Sequence, residues 1–317
     1  MIRILLCSHS VDTAMAALDF ADMMRREKAA AKRPPPRAAA PSAPPRPEAE
    51  IRFPPYELAR RDALELERFT VGAVARVFYV PDWISAPEEA AMLRQIRAVP
   101  AAHPRWTQLR GRRLQCWGGR PDALADAAGA EPLPPWLRRL GAALVEARVA
   151  ADAPDHALLN EYRAGDGILP HTDGPAYAPR TATLSLGSSA VVRFTRRVRT
   201  DEIGARARGG GGGEEDAGAF ELVLRPRSLL VFEGDAYAEW MHGIDAVASE
   251  RVGPRVVNGG AARAALGETI ERGVRHSLTL RRAQRGPEKG SDETEAEDAL
   301  RSFSCSPRSD VPAMSAA

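Results

Sequence analysis

From Val74 onward the chain reads as short apolar segments broken by turn residues, with two stretches of helical spacing near the front. Val74 to Val80 is a candidate strand, ended by Pro81. Ser85-Ala-Pro-Glu88 carries the serine and glutamate of a capping box with proline in the first turn. Met92, Leu93 and Ile96 give the helix that follows its apolar face. Trp136, Leu140 and Leu144 recur at four-residue spacing and predict a second helix from about Pro135 to Ala150. Beyond Ala157 the period shortens to two. Residues 157–163, 181–187, 190–195, 220–224, 228–233 and 275–282 all read as strands. Strands in quick succession without helices between them predict an antiparallel sandwich or barrel, not a parallel α/β sheet.

The flanks follow another pattern. Residues 29–50 are dominated by Ala, Pro and Arg, which cannot build a packed core. Residues 1–70 are therefore expected to form a largely disordered arm, with the folded domain occupying 71–283. The stretch 284–317 turns acidic and Ser-rich and is expected to be a disordered tail. Two insertions interrupt the strands. Gly209 to Gly213, followed by Glu214, Glu215 and Asp216, reads as a flexible hairpin extension. Residues 246–273, rich in Gly, Ala and Arg, separate His242 from the last strand.

Composition narrows the class. A chain of 317 residues, 44% hydrophobic and 27% charged, has the make-up of a soluble globular protein with one sizeable domain. A net charge of +2 excludes a molecule-wide attraction to nucleic acid, so any basic surface must be local. Cys7, Cys116 and Cys305 are far apart and odd in number, which points away from a disulfide framework or a cysteine zinc site and toward a reducing compartment. No apolar run has the length of a membrane span, and residues 2–7 are too short for a secretory core. Asp12, Asp19, Asp22 and Glu27 argue against an organellar transit peptide. The expected location is cytoplasm, nucleus or both, with no membrane partner and a monomer as the default state.

Chemistry enters with the polar faces of three segments. Side chains alternate along a strand, so Arg275, Ser277, Thr279 and Arg281 share one face, while His276, Leu278 and Leu280 share the other. That polar face is either a solvated edge or the lining of a lumen that holds a charged ligand. Asn160 and Tyr162 also project together, and so do His171 and Asp173. His242 follows a strand-like approach. Each pair alone is common. In this order they form a set: two histidines and a carboxylate hold Fe(II) with coordination positions left open. Two arginines after the last ligand suit a dicarboxylate, which a guanidinium grips through parallel hydrogen bonds. The set points to an iron- and 2-oxoglutarate-dependent dioxygenase.

The run Leu159-Asn160-Glu-Tyr162-Arg-Ala-Gly165-Asp-Gly167-Ile-Leu-Pro170-His171-Thr-Asp173-Gly174-Pro175 resembles the core motif of the AlkB family of nucleic-acid dealkylating dioxygenases. Trp106-Thr-Gln-Leu, Trp117-Gly-Gly, Leu133-Pro-Pro-Trp136-Leu, Ser185-Leu-Gly-Ser188, Pro226-Arg-Ser-Leu-Leu230 and Leu278-Thr-Leu-Arg281 resemble the branch numbered sixth in animals and plants. The similarity runs from about Val74 to Arg282. It implies a mainly β fold, a double-stranded β-helix (jelly-roll) core with flanking N-terminal helices. It implies His171, Asp173 and His242 as Fe(II) ligands, and Asn160, Tyr162, Arg275, Ser277 and Arg281 around 2-oxoglutarate. Ser277 stands where better-known members commonly carry Asn. With dioxygen as the other co-substrate, the implied reaction is oxidative demethylation of alkylated DNA or RNA. Two alternatives stay open: an oxygenase acting on protein or a small molecule, and a catalytically weak nucleic-acid-binding protein.

Residues 101–120 contain five arginines (105, 110, 112, 113 and 120) and no acidic residue, with Trp106 and Trp117 interleaved. Arginines neutralise phosphates and aromatic faces stack on unstacked bases, and the resemblance places a base-recognition lid in this part of the chain. Trp106, Arg112, Arg113 and Trp117 are therefore expected at a nucleic-acid substrate, with Tyr177 as a further pocket wall. The competing reading packs both tryptophans under the sheet and leaves the arginines in solvent.

Overall fold

The computed structural model describes residues 50–118, 132–197 and 218–284. The elements follow in chain order: β1 (Val77–Val80), α1 (Ala86–Arg97), β2 (Thr107–Gln108), β3 (Arg113–Gly118) and α2 (Pro135–Glu146). Then come β4 (His156–Tyr162), β5 (Ile168–His171), β6 (Arg180–Gly187), β7 (Ala190–Arg196), β8 (Phe220–Leu224) and β9 (Leu229–Glu233). The single helical turn α3 (Asp235–Ala238) precedes β10 (Trp240–Ile244), β11 (Ser249–Arg251), β12 (Thr269–Glu271) and β13 (Arg275–Arg281).

Helix α1 starts at its capping box: Ser85 Oγ accepts from the Glu88 amide at 3.4 Å, and Glu88 Oε2 accepts from the Ser85 amide at 2.8 Å. Its Met92 and Ile96 are buried. Helix α2 buries Trp136, Leu140 and Leu144 as their spacing predicts. It stops at Glu146, short of the expected end, because Arg148 turns left-handed at φ +58° and the Val149 amide closes back on the Leu144 carbonyl at 2.9 Å.

From β4 the chain shuttles between two antiparallel sheets. The larger has the order β1-β9-β6-β13-β4-β3-β2 and the smaller β5-β10-β7-β8. This is the antiparallel sandwich predicted by the run of short strands, in the jelly-roll form that the family resemblance implies. Helices α1 and α2 cover the outer face of the large sheet, where Trp136, Leu140 and Leu144 belong to one core with Leu159, Leu184 and Leu278. A second core around Val192, Phe194, Leu222 and Phe232 fills much of the space between the sheets. Strand β13 is buried along its whole length, paired with β4 on one side and β6 on the other. With every residue of β13 buried, neither of its faces is solvated. The alternation of Arg275, Ser277, Thr279 and Arg281 therefore lines the inside, which rules out the edge reading.

The structure corrects one boundary. Residues 51–70, placed in the largely disordered arm, pack on the domain: Leu58 and Leu66 are buried, and Ile51, Phe53 and Tyr56 lie against the same core. Arg139 of α2 holds this strap through the Leu58 and Ala59 carbonyls at 3.0 and 2.8 Å. The strap has no period because its anchors are backbone carbonyls and scattered apolar residues. Residues 246–273, read from sequence as an interruption of the strands, lie within the described domain. They fold, with β11 paired to β12 and with Val252, Ala262, Ala264 and Ile270 buried in the second core. The Asn258 carboxamide gives and receives a 2.9 Å hydrogen bond with the Val223 backbone of β8. The Gly209–Gly213 extension and the acidic tail lie outside the described residues.

On the outer face of β4, Glu161 takes two hydrogen bonds from Arg113, at 2.8 and 2.7 Å, and lies 3.3 Å from His276 Nε2. Burial alone would raise its carboxyl, but the contacts from His276 and Arg113 override this and pull it down to about 2. Its ionised form is therefore favoured in the folded state. The stability it contributes is complete above its ordinary value of 4.5 and is lost as pH falls from there toward 2. Glu161→Gln is expected to be less stable than wild type at neutral pH, with the gap narrowing over that acid range in denaturant titrations.

Candidate active site

The metal-ligating set is built by strand pairing. His171 ends β5, and its cross-strand neighbour on β10 is His242. The two rings sit 4.4 Å apart between centroids. Asp173 follows two residues after His171 and meets them: one ligand atom from each of the three residues lies within 4.8 Å of the others. Gly174, at φ +78°, lets the chain turn sharply after the carboxylate. The Tyr237 hydroxyl, carried by α3, donates to the Gly174 carbonyl at 2.6 Å and anchors that turn.

Hydrogen bonding prepares these groups for a cation. His171 Nδ1 lies 2.8 Å from the Leu169 carbonyl, which can only accept, so the proton sits on Nδ1 and Nε2 is left as a lone-pair donor. Burial, then the neighbouring His242, hold His171 well below its ordinary range, and burial lowers His242 as well. Both are neutral, the form that ligates. Burial pushes Asp173 the other way, yet Arg281, both histidines and the Thr181 hydroxyl outweigh it and keep the carboxylate ionised. Arg281 Nη2 binds Asp173 Oδ1, and Thr181 Oγ1 donates to Oδ2. The donor set and its neutral-neutral-anionic charge fit Fe(II) with open positions.

The same cavity is lined by Asn160, Tyr162, Arg275, Ser277 and Arg281 together with His171 and His242. All five residues expected around the co-substrate thus converge. Arg275 is buried, and its Nη2 donates to Ser185 Oγ at 2.9 Å, while Nε and Nη1 have no hydrogen-bond partner among the described residues. Burial lowers it to about 10, so it remains a cation at neutral pH. Its guanidinium lies 5.7 Å from the centre of the Tyr162 ring. Sequence reading missed Thr181, Ser185 and Tyr237. The period-two alternation of β6 could have flagged the first two, since both lie on the face that looks at β13 residues of the inner row.

The expected nucleic-acid face separates into two sides of one strand. In β3, Arg113 pairs with Glu161 and Trp117 with Ala157, which puts both on the outer face of the large sheet. Trp117 is buried in the helix-side core, its Nε1 bonded to Gln115 Oε1 at 3.0 Å, with Arg105 over its ring at 4.3 Å. Trp106 is half-buried on the same side beneath Arg113 at 4.0 Å. Trp117, 3% exposed, has no face open to a base, whereas Trp106 stays half-buried. Arg112 is not a surface phosphate contact either: it is 1% exposed and its Nε donates to Asn160 Oδ1 at 3.0 Å. Tyr177 is buried beside the metal loop, with Arg281 over its ring at 4.9 Å and its hydroxyl 3.4 Å from His156 Nε2.

Two measurements follow from these placements. Thr181→Val leaves one carboxylate oxygen of Asp173 without its donor and is expected to weaken divalent-metal affinity about 10- to 100-fold by calorimetry. Trp117→Ala is expected to cost about 3–5 kcal/mol of unfolding free energy, as a core truncation does. A neutral effect on stability would return Trp117 to the surface.

Comparison with known proteins agrees with this geometry. The model of the 2OG-Fe(II) oxygenase superfamily matches residues 76–281. The chain is similar to the "Probable RNA/DNA demethylase ALKBH6" of Danio rerio, 38% identical over 226 residues, covering 69% of this chain and 90% of that protein. It is 26% identical over 228 residues to the "Alkylated DNA repair protein ALKBH8 homolog" of Arabidopsis thaliana, covering 67% of this chain and 59% of that one. Among solved structures, OsALKBH1 aligns at 16% identity with a TM-score of 0.41, covering 67% of this chain and all of that one. The matched span contains the His171–Asp173–His242 set and the arginine strand, and the chain belongs to the 2OG-Fe(II) oxygenase superfamily as an AlkB-like, Fe(II)- and 2-oxoglutarate-dependent dioxygenase.

Proposed function

We propose that this dioxygenase oxidatively removes alkyl groups from nucleic acid, with 2-oxoglutarate lying between Arg275 and the metal triad. The observation that carries the co-substrate assignment is the Arg275 guanidinium, buried in the cavity with Nε and Nη1 unsatisfied. An unsatisfied buried donor costs about 1–3 kcal/mol. A carboxylate accepting along the Nη1–Nη2 edge gives Nη1 the acceptor it lacks, through paired hydrogen bonds. The Ser185 hydroxyl holds the third nitrogen, so the guanidinium is oriented before the ligand arrives.

The other residues divide the work. Asn160, Tyr162 and Ser277 offer neutral polar groups along the cavity, suited to keto and carboxylate oxygens without adding charge. Arg281 keeps Asp173 ionised and aimed, and Tyr237 holds the turn behind it. His171 and His242 present neutral rings from adjacent strands. When Fe(II), 2-oxoglutarate and dioxygen are bound they supply the oxidising chemistry, in which 2-oxoglutarate becomes succinate and carbon dioxide while an N-alkyl carbon is hydroxylated and lost as aldehyde.

Two relatives whose names specify RNA, DNA or DNA repair support nucleic acid as the substrate class. Arg110, exposed at the tip of the β2–β3 hairpin, is a cation suited to phosphate. The test is succinate formation with Fe(II) and ascorbate, adding methylated single-stranded DNA or RNA in turn. Turnover that requires His171 and rises with one polymer is the expected result. Arg275→Met should raise KM for 2-oxoglutarate about 10- to 100-fold in a protein that stays folded. Intact co-substrate binding without stimulation by either polymer would shift the substrate to protein or a small molecule. Loss of both metal and 2-oxoglutarate binding in wild type would overturn the reading.

A further inference from the structure

We infer that Arg112 is a positioning residue of the co-substrate site, holding the Asn160 carboxamide so that its amide donor faces the cavity. The inference rests on the co-substrate reading above and names a residue beyond it.

Strand parity sets the direction of the Arg112 side chain. Leu114 is the cross-strand partner of Asn160, so the two share the inner face of the large sheet. Arg112 precedes Leu114 by two residues and projects to that same face, while Arg113 projects outward to Glu161. The hairpin holds this arrangement from both sides. The Leu109 amide donates to the Arg112 carbonyl at 2.9 Å, and the Gly167 amide donates to the Gly111 carbonyl at 3.2 Å. A Cβ on Gly111 would lie 3.0 Å from the Gly167 carbonyl oxygen, so the tip docks closely on the loop between β4 and β5. Outside, the bidentate Arg113–Glu161 pair and the Trp106 stack lock the neighbouring residue.

The chemistry of the contact then decides which way Asn160 points. A guanidinium has donors only, so the Asn160 atom 3.0 Å from Arg112 Nε must be the oxygen. The amide nitrogen is thereby turned away from Arg112. Asn160 lines the cavity, and the ligand oxygens expected there are acceptors, which need a donor. With the carboxamide reversed, oxygen would face oxygen. An isolated Asn side chain has no strong preference between these orientations, because its terminal torsion is broad and roughly two-fold. Arg112 removes that ambiguity, and at 1% exposure it does so out of competition with water.

The test is a double-mutant cycle read by direct binding. 2-Oxoglutarate affinity is measured by calorimetry on the full chain loaded with Mn(II), so that turnover does not enter. Arg112→Met and Asn160→Ala are each expected to weaken binding about tenfold, and the double variant no more than Asn160→Ala alone. Arg112→Lys, which keeps charge and a donor, should recover part of the loss. Melting temperatures accompany each variant, and if Arg112→Met does not fold, the cycle is run with Arg112→Lys. A merely structural role would lower the melting temperature and leave affinity at the wild-type value, which overturns the inference. So would losses that multiply to about a hundredfold, since Arg112 would then act independently of Asn160. Wild type that binds Mn(II) but no 2-oxoglutarate would overturn the co-substrate reading itself, a separate result.

Discussion

The buried pair between Arg281 and Asp173 is the contact on which the site depends. Two charges withdrawn from water are costly, and their attraction repays the cost only when geometry is good and the remaining oxygens and protons are satisfied. Here the second carboxylate oxygen takes the Thr181 hydroxyl, and the turn that carries Asp173 is held by Tyr237. The pair joins the last strand of the large sheet to the loop that leaves the small sheet. It therefore ties metal geometry to closure of the fold.

The polar inner row of β13 is organised around that pair. Its two guanidiniums sit in different situations: Arg281 is matched by the Asp173 carboxylate, whereas Arg275 bonds the neutral Ser185 hydroxyl and has no ion pair among the described residues. One charge is balanced by the protein itself, and the other is left for a ligand to balance. This asymmetry gives the cavity a direction. Neutral polar groups lie between the two, and the histidines sit on the opposite sheet.

Much of this was legible in the residues. Period-two alternation places Arg275 with Arg281 and Asn160 with Tyr162, and the burial of β13 on both sides settles which face looks inward. The capping box at Ser85 fixes the start of α1 to the residue. What escaped was information held by partners distant in sequence. Trp106 and Trp117 read as stacking platforms because their arginine neighbours are the same residues that a nucleic-acid surface would use. Only the register of β3 against β4 shows Trp117 facing the helices, and Trp106 packs against the same core. Arg112 and Arg113 are identical in type and adjacent, and strand parity alone separates an outer clamp from an inner one. Residues 51–69 and 249–271 are held by carbonyl acceptors and single apolar anchors, which leave no period to detect.

Asn258 has a consequence of its own. Strand β8 ends the small sheet, and such a strand normally offers a row of bare amides and carbonyls to any passing chain. The Asn258 carboxamide imitates a peptide unit against Val223, and the Arg255 carbonyl and Val257 amide pair with Glu221 beside it. The segment that reads in sequence as an interruption thus serves as a short false strand. It blocks the small sheet from growing by addition of another chain along β8, so self-association through that edge is closed.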